Sequence, residues 1–357
     1  MIQSVRQTRF YRALVLGTLG LGLGLGGANA ATPATAPAAR LTALPGWVIY
    51  SPGQESYGYR YGPALIQNPD GSLDAWFASP GGPAADGTGE WDWIRHRRSP
   101  DGGSHWGPET VVLRPTMGSR DRFSVCDPAV VRLGDWYYLG VTSVDNQPGN
   151  RNCVYVARSH TPTGPFEKWN GHGWGGAPAP LIEFTTPTEA WGAGEPSFVV
   201  QDSTLYVYYT WWVNKNPDGP LCNQTRVATA PAGDPDWPAR LRLRGVAFDR
   251  VADEDSADVK YSDELKLFLS VSTASRMGPD AHVVYRTSGD GLHFGPPTKL
   301  SQNVKTWCHN SGLAGTPVGH IPAGMRPLLG YAYSDEPKIN WGHWHTLLQP
   351  VQIERGP

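Results

Sequence analysis

The chain has 357 residues, a formal net charge of −2 and only 17% charged residues, with 30 Lys and Arg against 32 Asp and Glu. A nucleic-acid partner requires a basic stripe or patch to meet phosphates, and no stretch of this sequence supplies one. Beyond residue 30 no apolar run is long enough to cross a bilayer, so stable membrane insertion is not expected either.

Arg6, Arg9 and Arg12 precede a Gly-diluted apolar run over 13–27 and an A-x-A site at Ala28-Asn29-Ala30. This is the layout of a secretory signal peptide. The apolar run is short for a span and no Cys follows the site, so residues 1–30 are expected to be removed from a secreted or periplasmic product. Residues 31–43 are rich in Pro and Ala and read as a linker without secondary structure. Residues 44–357 contain no further linker-like stretch and are read as one all-β domain. Four cysteines, Cys126, Cys153, Cys222 and Cys308, are an even number in an exported chain and allow two disulfides in three pairings. Cys126–Cys153 with Cys222–Cys308 is the preferred one. No CxxC and no neighbouring His set suggests a zinc site.

Three segments begin alike. Residues 62–78 read GPALIQNPDGSLDAWFA, 127–142 read DPAVVRLGDWYYLGVT, and 195–210 read EPSFVVQDSTLYVYYT. Each has a small or acidic residue, then Pro, an apolar run, a polar turn and an aromatic-rich strand. A long repeat built from strand–turn–strand units indicates propeller blades. The spacing predicts five blades of four antiparallel strands, each blade roughly 65 residues long.

The first blade takes 62 onward, 73–78, 92–98 and 110–113. The second takes 128–133, 136–142, 153–158 and a tail near Phe166. The third takes 196–201, 204–211, 225–230 and a strand near 240–245. In the fourth, 258–273 matches the pattern with Asp258 leading, and 281–287 follows. The fifth takes 310–319, 327–333 and 343–353, with 46–50 pairing against the last strand to close the ring and remove exposed sheet edges.

Equivalent blade positions converge on one axis, so Asp127 and Glu195 are expected to face a common cavity. The segments Ser99-Pro-Asp101-Gly-Gly103-Ser-His-Trp106 and Ser288-Gly-Asp290-Gly291-Leu-His-Phe294 resemble the Asp-box of sialidase-type propellers, a structural turn between outer strands. The DP unit, the EP unit and the blade-leading Asp258 together resemble the five-bladed glycoside hydrolases of families 43 and 62 and the related invertase group. That resemblance implies an axial pocket with an Asp general base from the first blade, an Asp that tunes pKa from the second and a Glu general acid from the third. Asp127 and Glu195 match the second and third. The first position is Gly62, a departure from the pattern. Asp258 is the first candidate to replace the missing acid, followed by Glu55, with Asp92 and Asp121 behind.

Glycosidic cleavage needs one protonated carboxyl at the leaving oxygen and one ionised carboxylate to activate water or attack carbon. Crowding acids in a partly apolar cleft drives their pKa values apart. The bland alternative is that Asp127 and Glu195 accept backbone N–H groups at strand starts. Candidate substrate contacts are Trp191 beside Glu195, Arg122 (with Arg120) for a carboxylated sugar, one of Trp211 and Trp212 for stacking, and His309 with Asn310 at the start of the fifth blade. His320, His343 and His345 read as structural.

These residues predict a glycan-cleaving hydrolase that is monomeric, needs no cofactor and has no dedicated metal site. A calcium or sodium ion in the central channel is implied by the resemblance alone. Two other readings stand beside it. One is a sialidase-like or uronate-directed enzyme, including a polysaccharide lyase that uses Tyr59, Tyr61 or His309 with Arg122. The other is a propeller that binds glycans without cleaving them.

Overall fold

The computed structural model describes residues 39–52, 58–81, 91–144, 151–185, 190–213, 222–251, 253–300, 302–335 and 343–356. The side chains of Cys222 and His343 are outside the description. The expected signal peptide, most of the expected linker and Glu55 also lie outside it.

Five small antiparallel sheets make the fold. Blade I runs Tyr61–Gln67, Leu73–Pro80, Asp92–Ser99 and Thr110–Leu113. Blade II runs Ser124–Leu133, Trp136–Val144, Cys153–Ser159 and Glu167–Lys168. Blade III runs Ala190–Gln201, Thr204–Val213, Cys222–Pro231 and Arg242–Asp249. Blade IV runs Asp255–Ser262, Leu267–Ala274, His282–Ser288 and Thr298–Lys299, and His320–Ile321 pairs in parallel with its first strand. Blade V runs Cys308–Leu313, Leu328–Tyr333 and His343–Arg355.

The first strand of each blade packs on the first strand of the next, and blade V returns to blade I. The ring is thus a five-bladed propeller. Trp47–Tyr50 pairs with 346–348 as the sequence predicts. Ala39–Ala43 adds the outermost strand of blade V, in register with 351–355. These five residues were expected to be linker. The alternation of Leu41 and Ala43, both buried, with exposed Arg40 is a strand pattern that Ala-rich composition hid.

The apolar cores lie between blades. One spans blades I to III around Trp76, Tyr138 and Trp237. Others join blades IV and V, III and IV, and V and I. Close inter-blade approach demands small residues: a Cβ on Gly312 would lie 2.0 Å from the Pro63 carbonyl oxygen.

Among the described residues none of the expected disulfides forms: Cys126, Cys153 and Cys308 are in no S–S bond. Cys126 pairs with Thr142, and Cys153 pairs with Ser143 on the other edge of that same middle strand. Two strand spacings are close to 10 Å, beyond the reach of one S–S bond. With Cys308 free, the Cys222–Cys308 pairing falls as well.

The segments at 99–106 and 288–294 form matching turns after the third strands of blades I and IV. The Ser99 hydroxyl accepts from the Gly103 N–H (2.7 Å) and the Asp101 carboxylate from the His105 N–H (2.8 Å). The Ser288 hydroxyl accepts from Gly291 (2.9 Å), and Asp290 from Leu292 (2.8 Å) and His293 (2.9 Å). Both are turn-stabilising contacts.

Candidate active site

The first strands carry the same irregularity at the same height. Register shifts fall between Tyr61 and Ala64, Cys126 and Ala129, Gly194 and Ser197, Asp255 and Asp258, and His309 and Gly312. Each marks a bulge, which frees one residue from the ladder and re-aims its side chain. The bulged residues Gly62, Asp127, Glu195 and Asn310 have φ of 59°, 47°, 48° and 47°. The Pro that follows in blades I to III costs nothing there, because a bulge makes no use of the lost N–H. Left-handed backbone is tolerable for Asp and Asn, and it is strained for Glu. Backbone strain of this kind concentrates at functional sites.

The aligned bulges set the blade equivalence. Gly62, Asp127, Glu195, Ser256 and Asn310 occupy one ring and line a narrow axial cavity of about 40 Å³. That volume holds a few waters but not a sugar ring, so the cavity itself has no room for a ring-sized ligand. The assignment of Asp258 as a blade-leading acid is corrected by this alignment: it stands two residues past the ring, level with Ala64, Ala129 and Ser197. Its carboxylate accepts from the Ser197 hydroxyl (2.7 Å) and the Leu313 N–H (2.7 Å) and is paired with Lys260 (2.5 Å). It ties blades III, IV and V together. Its shift arose because the bulge in blade IV precedes Asp258, and a bulge is invisible in the repeat pattern.

Asp127 and Glu195 are brought to one buried site, 8% and 5% exposed. The Asn310 amide donates to Asp127 Oδ1 (2.8 Å) and the Cys126 thiol lies 3.4 Å from Oδ2. Burial, then the charge of Glu195, push the Asp127 carboxyl up to about 7. Glu195 Oε2 accepts from the Thr210 hydroxyl and from Arg250 Nη1 (3.2 Å). Arg250 is fully buried and also donates to the Thr210 (2.5 Å) and Thr225 (3.0 Å) hydroxyls, so its fork is fixed. Behind it, Glu254 and Arg286 form a buried two-pronged pair (2.5 and 2.9 Å), and the Glu254 carbonyl accepts from Asn223 (3.0 Å).

Two further acids flank the pair. Asp255, one residue before the ring in blade IV, is fully buried. Burial drives it up to about 8, with Arg276 opposing and Glu195 adding to the rise. Its Oδ2 accepts from the Asn310 N–H (3.2 Å), and its Oδ1 is buried with no hydrogen-bond partner among the described residues. Asp92, from the third strand of blade I, accepts from Tyr59 (2.5 Å), Tyr61 (3.0 Å) and Ser124 (3.1 Å). Burial raises it to about 7 against those three donors, and the charge of Asp127 adds to the rise.

A tyrosine base of the lyase type finds little support, since both Tyr59 and Tyr61 hydroxyls donate to Asp92. Burial also lifts the Tyr61 hydroxyl well above its usual range. His309 is fully buried between Tyr61 (5.3 Å) and Trp344 (4.1 Å), and burial drives it down to about 3, so it stays neutral.

Trp191 overlies Gly194, where an added Cβ would meet its ring at 2.6 Å. Its ring is 6.4 Å from Trp212, and the Arg276 guanidinium lies 4.9 Å above Trp212. Trp211 points the other way, packing on Phe184 (4.4 Å) and under Arg226 (4.4 Å). Of the two tryptophans left open by the alternation, Trp212 is the one on the side of Trp191 and Arg276. Arg122 is half-buried just before blade II. Its companion Arg120 pairs with Glu183 (2.7 Å) at the surface. Asp121 is held by Lys168, the Ser119 hydroxyl and the Thr116 N–H, a structural clasp.

Sequence reasoning missed Asp255, Arg250 and Arg276. None sits at a repeat-leading position, and only folding brings them to the axis. Among the described residues no group of three or more His, Cys, Asp or Glu is arranged to hold a metal ion.

No family model and no curated protein matches the chain. Solved structures do. A family 117 glycoside hydrolase from the marine bacterium Zobellia galactanivorans superposes with a TM-score of 0.61 at 16% identity, over 89% of this chain and 91% of that one. A thermostable family-43 glycoside hydrolase gives 0.60 at 16% identity, over 84% and 95%. An α-L-arabinofuranosidase from Podospora anserina gives 0.55 at 11% identity, over 87% and 96%. At such identities the likeness speaks for the fold: this chain is an all-β five-bladed propeller of the architecture that these glycoside hydrolases share.

Proposed function

We propose that this protein is an exported glycoside hydrolase that cleaves a glycan at the propeller mouth with Asp127 and Glu195 as its carboxyl pair. The observation that carries the proposal is the delivery of both side chains, by equivalent left-handed bulges, into one buried site, where burial and then the charge of Glu195 raise Asp127. Like charges in a low-dielectric site cannot both be present without cost. Asp127 is therefore the resting proton holder, and Glu195, braced by Arg250 and Thr210, is the anion.

In the reaction the glycosidic C–O bond breaks as the Asp127 proton passes to the leaving oxygen. The Glu195 carboxylate draws a proton from the attacking water, whose oxygen bonds to the anomeric carbon, or bonds that carbon itself before water releases it. The carboxyl separation and the anomer of the product decide between these. This places the proton on Asp127, where the family resemblance implies Glu195. Asp92 and Asp255 keep further charge out of the site while they hold their own protons.

Furanose-bearing glycans are the first substrates to try, because arabinofuranosidases and an endo-arabinase are among the proteins of similar fold. The test is reducing-sugar release from arabinan, arabinoxylan and other plant and bacterial glycans, together with 4-nitrophenyl glycosides. Glu195→Gln and Asp127→Asn are each expected to cut turnover on natural linkages by at least about a hundredfold. On 4-nitrophenyl glycosides, whose leaving group needs no proton, Asp127→Asn is expected to retain far more activity than Glu195→Gln. Folded variants with near-normal turnover, or a wild-type chain inert on every substrate, would overturn the proposal.

A further inference from the structure

One guanidinium at the mouth is left partly exposed. Arg250 is matched by Glu195 and Arg286 by Glu254. Arg276 faces Asp255 at 3.8 Å, outside hydrogen-bond distance, and its charge also reaches Asp127. Burial pushes the Asp255 carboxyl up to about 8, which weakens it as a counter-charge. The Arg276 side chain is 24% exposed, whereas Asp255 has no exposure at all.

The backbone that carries Arg276 is also held in place. Ser275 and Met277 on either side have φ of 50° and 59°. The Arg276 N–H donates to the Asp253 carbonyl (3.1 Å), and the Met277 N–H donates to the Cys308 carbonyl (3.0 Å). The side chain lies over Trp212, which adjoins Trp191. An aromatic wall and a partly exposed guanidinium form a surface for a sugar that carries an anion.

We infer that Arg276 makes this site selective for acidic glycans, with the Arg276 guanidinium holding a sugar carboxylate or sulfate and the sugar ring lying along Trp212 and Trp191. This deepens the hydrolase reading and names the class of residue bound beside the scissile bond. Planar guanidinium meets a carboxylate or sulfate with two parallel hydrogen bonds, and a neutral sugar leaves that donor fork in water.

The test measures binding, so that it is independent of turnover. Calorimetric titration of the full-length Glu195→Gln chain would compare trigalacturonate and glucuronoxylan oligosaccharides with their carboxyl-reduced forms, and sulfated galactan oligosaccharides with their desulfated forms. At least one charged probe is expected to bind about tenfold or more tightly than its neutral counterpart, as a charge-assisted contact supplies. The pair that shows it separates carboxylate from sulfate. Adding Arg276→Gln is expected to abolish the preference, Arg276→Lys to restore part of it, and neutral probes to be unaffected. No preference for any charged probe overturns the inference. So does an equal loss for charged and neutral probes in Arg276→Gln, since that marks a residue that only supports Trp212. Strong charged binding in a chain that never cleaves would leave the inference standing and sink the hydrolase reading.

Discussion

Asp127→Asn separates a functional carboxyl from a structural one, because the two readings predict opposite signs. If Asp127 only accepted hydrogen bonds, removing its charge would destabilise the fold. The structure instead makes it a buried acid held near pH 7, against 3.8 for an ordinary Asp. Its folded pKa is raised, so the folded state binds more protons than the unfolded chain between those values. Its contribution to stability is complete below about pH 4 and is lost as pH rises through about 7. A difference of roughly 3 units at about 1.36 kcal/mol each gives about 4 kcal/mol as an upper bound. Asn is nearly isosteric, tolerates the left-handed backbone and still accepts from Asn310. Asp127→Asn should thus be near neutral at pH 4 and stabilising at pH 8, by about 2–4 kcal/mol once coupling to Glu195 and Asp255 is allowed for. Guanidinium unfolding of wild type and variant at pH 4, 6 and 8 checks it. A variant that is less stable than wild type at pH 8, or whose difference does not grow with pH, refutes the account of this site as a strained, charge-crowded cluster. Stability given up at such positions in exchange for activity is a common trade.

Two other predictions concern the scaffold. Arg286 and Glu254 are buried and doubly hydrogen-bonded, so Arg286→Met should cost about 3–5 kcal/mol by stranding the Glu254 charge. The double variant Arg286→Met with Glu254→Leu should recover much of that, and strict additivity of the two single costs would show that the pair is not coupled. In unreduced protein unfolded in denaturant, a thiol reagent should count four cysteines, because Cys126, Cys153 and Cys308 are in no S–S bond and an intrachain disulfide needs two of the four. A count of two or fewer would contradict the strand geometry that separates Cys126 from Cys153.

The propeller was legible in the sequence because its repeat is local. Pro-led apolar runs, polar turns and aromatic strands specify blades I to III from within, and the apolar run Trp47–Tyr50 sufficed to foresee ring closure. Asp127 and Glu195 were legible for the same reason, as they lead those units. Ring equivalence in blade IV was not, because a one-residue bulge changes which side chain faces the axis without changing the hydrophobic pattern; Asp258 went to a structural bracket and Ser256 to the ring. Disulfide pairing failed because parity of cysteines says nothing about the strand that lies between two of them. Arg250, Asp255 and Arg276 come from a blade exit, a strand start and a loop flanked by left-handed residues. Their chemistry exists only where burial removes water and charges from three blades meet. Local pattern sets backbone hydrogen bonding and which face is apolar, while the protonation of a carboxyl depends on every charge within a few ångströms, and only the closed ring decides which those are.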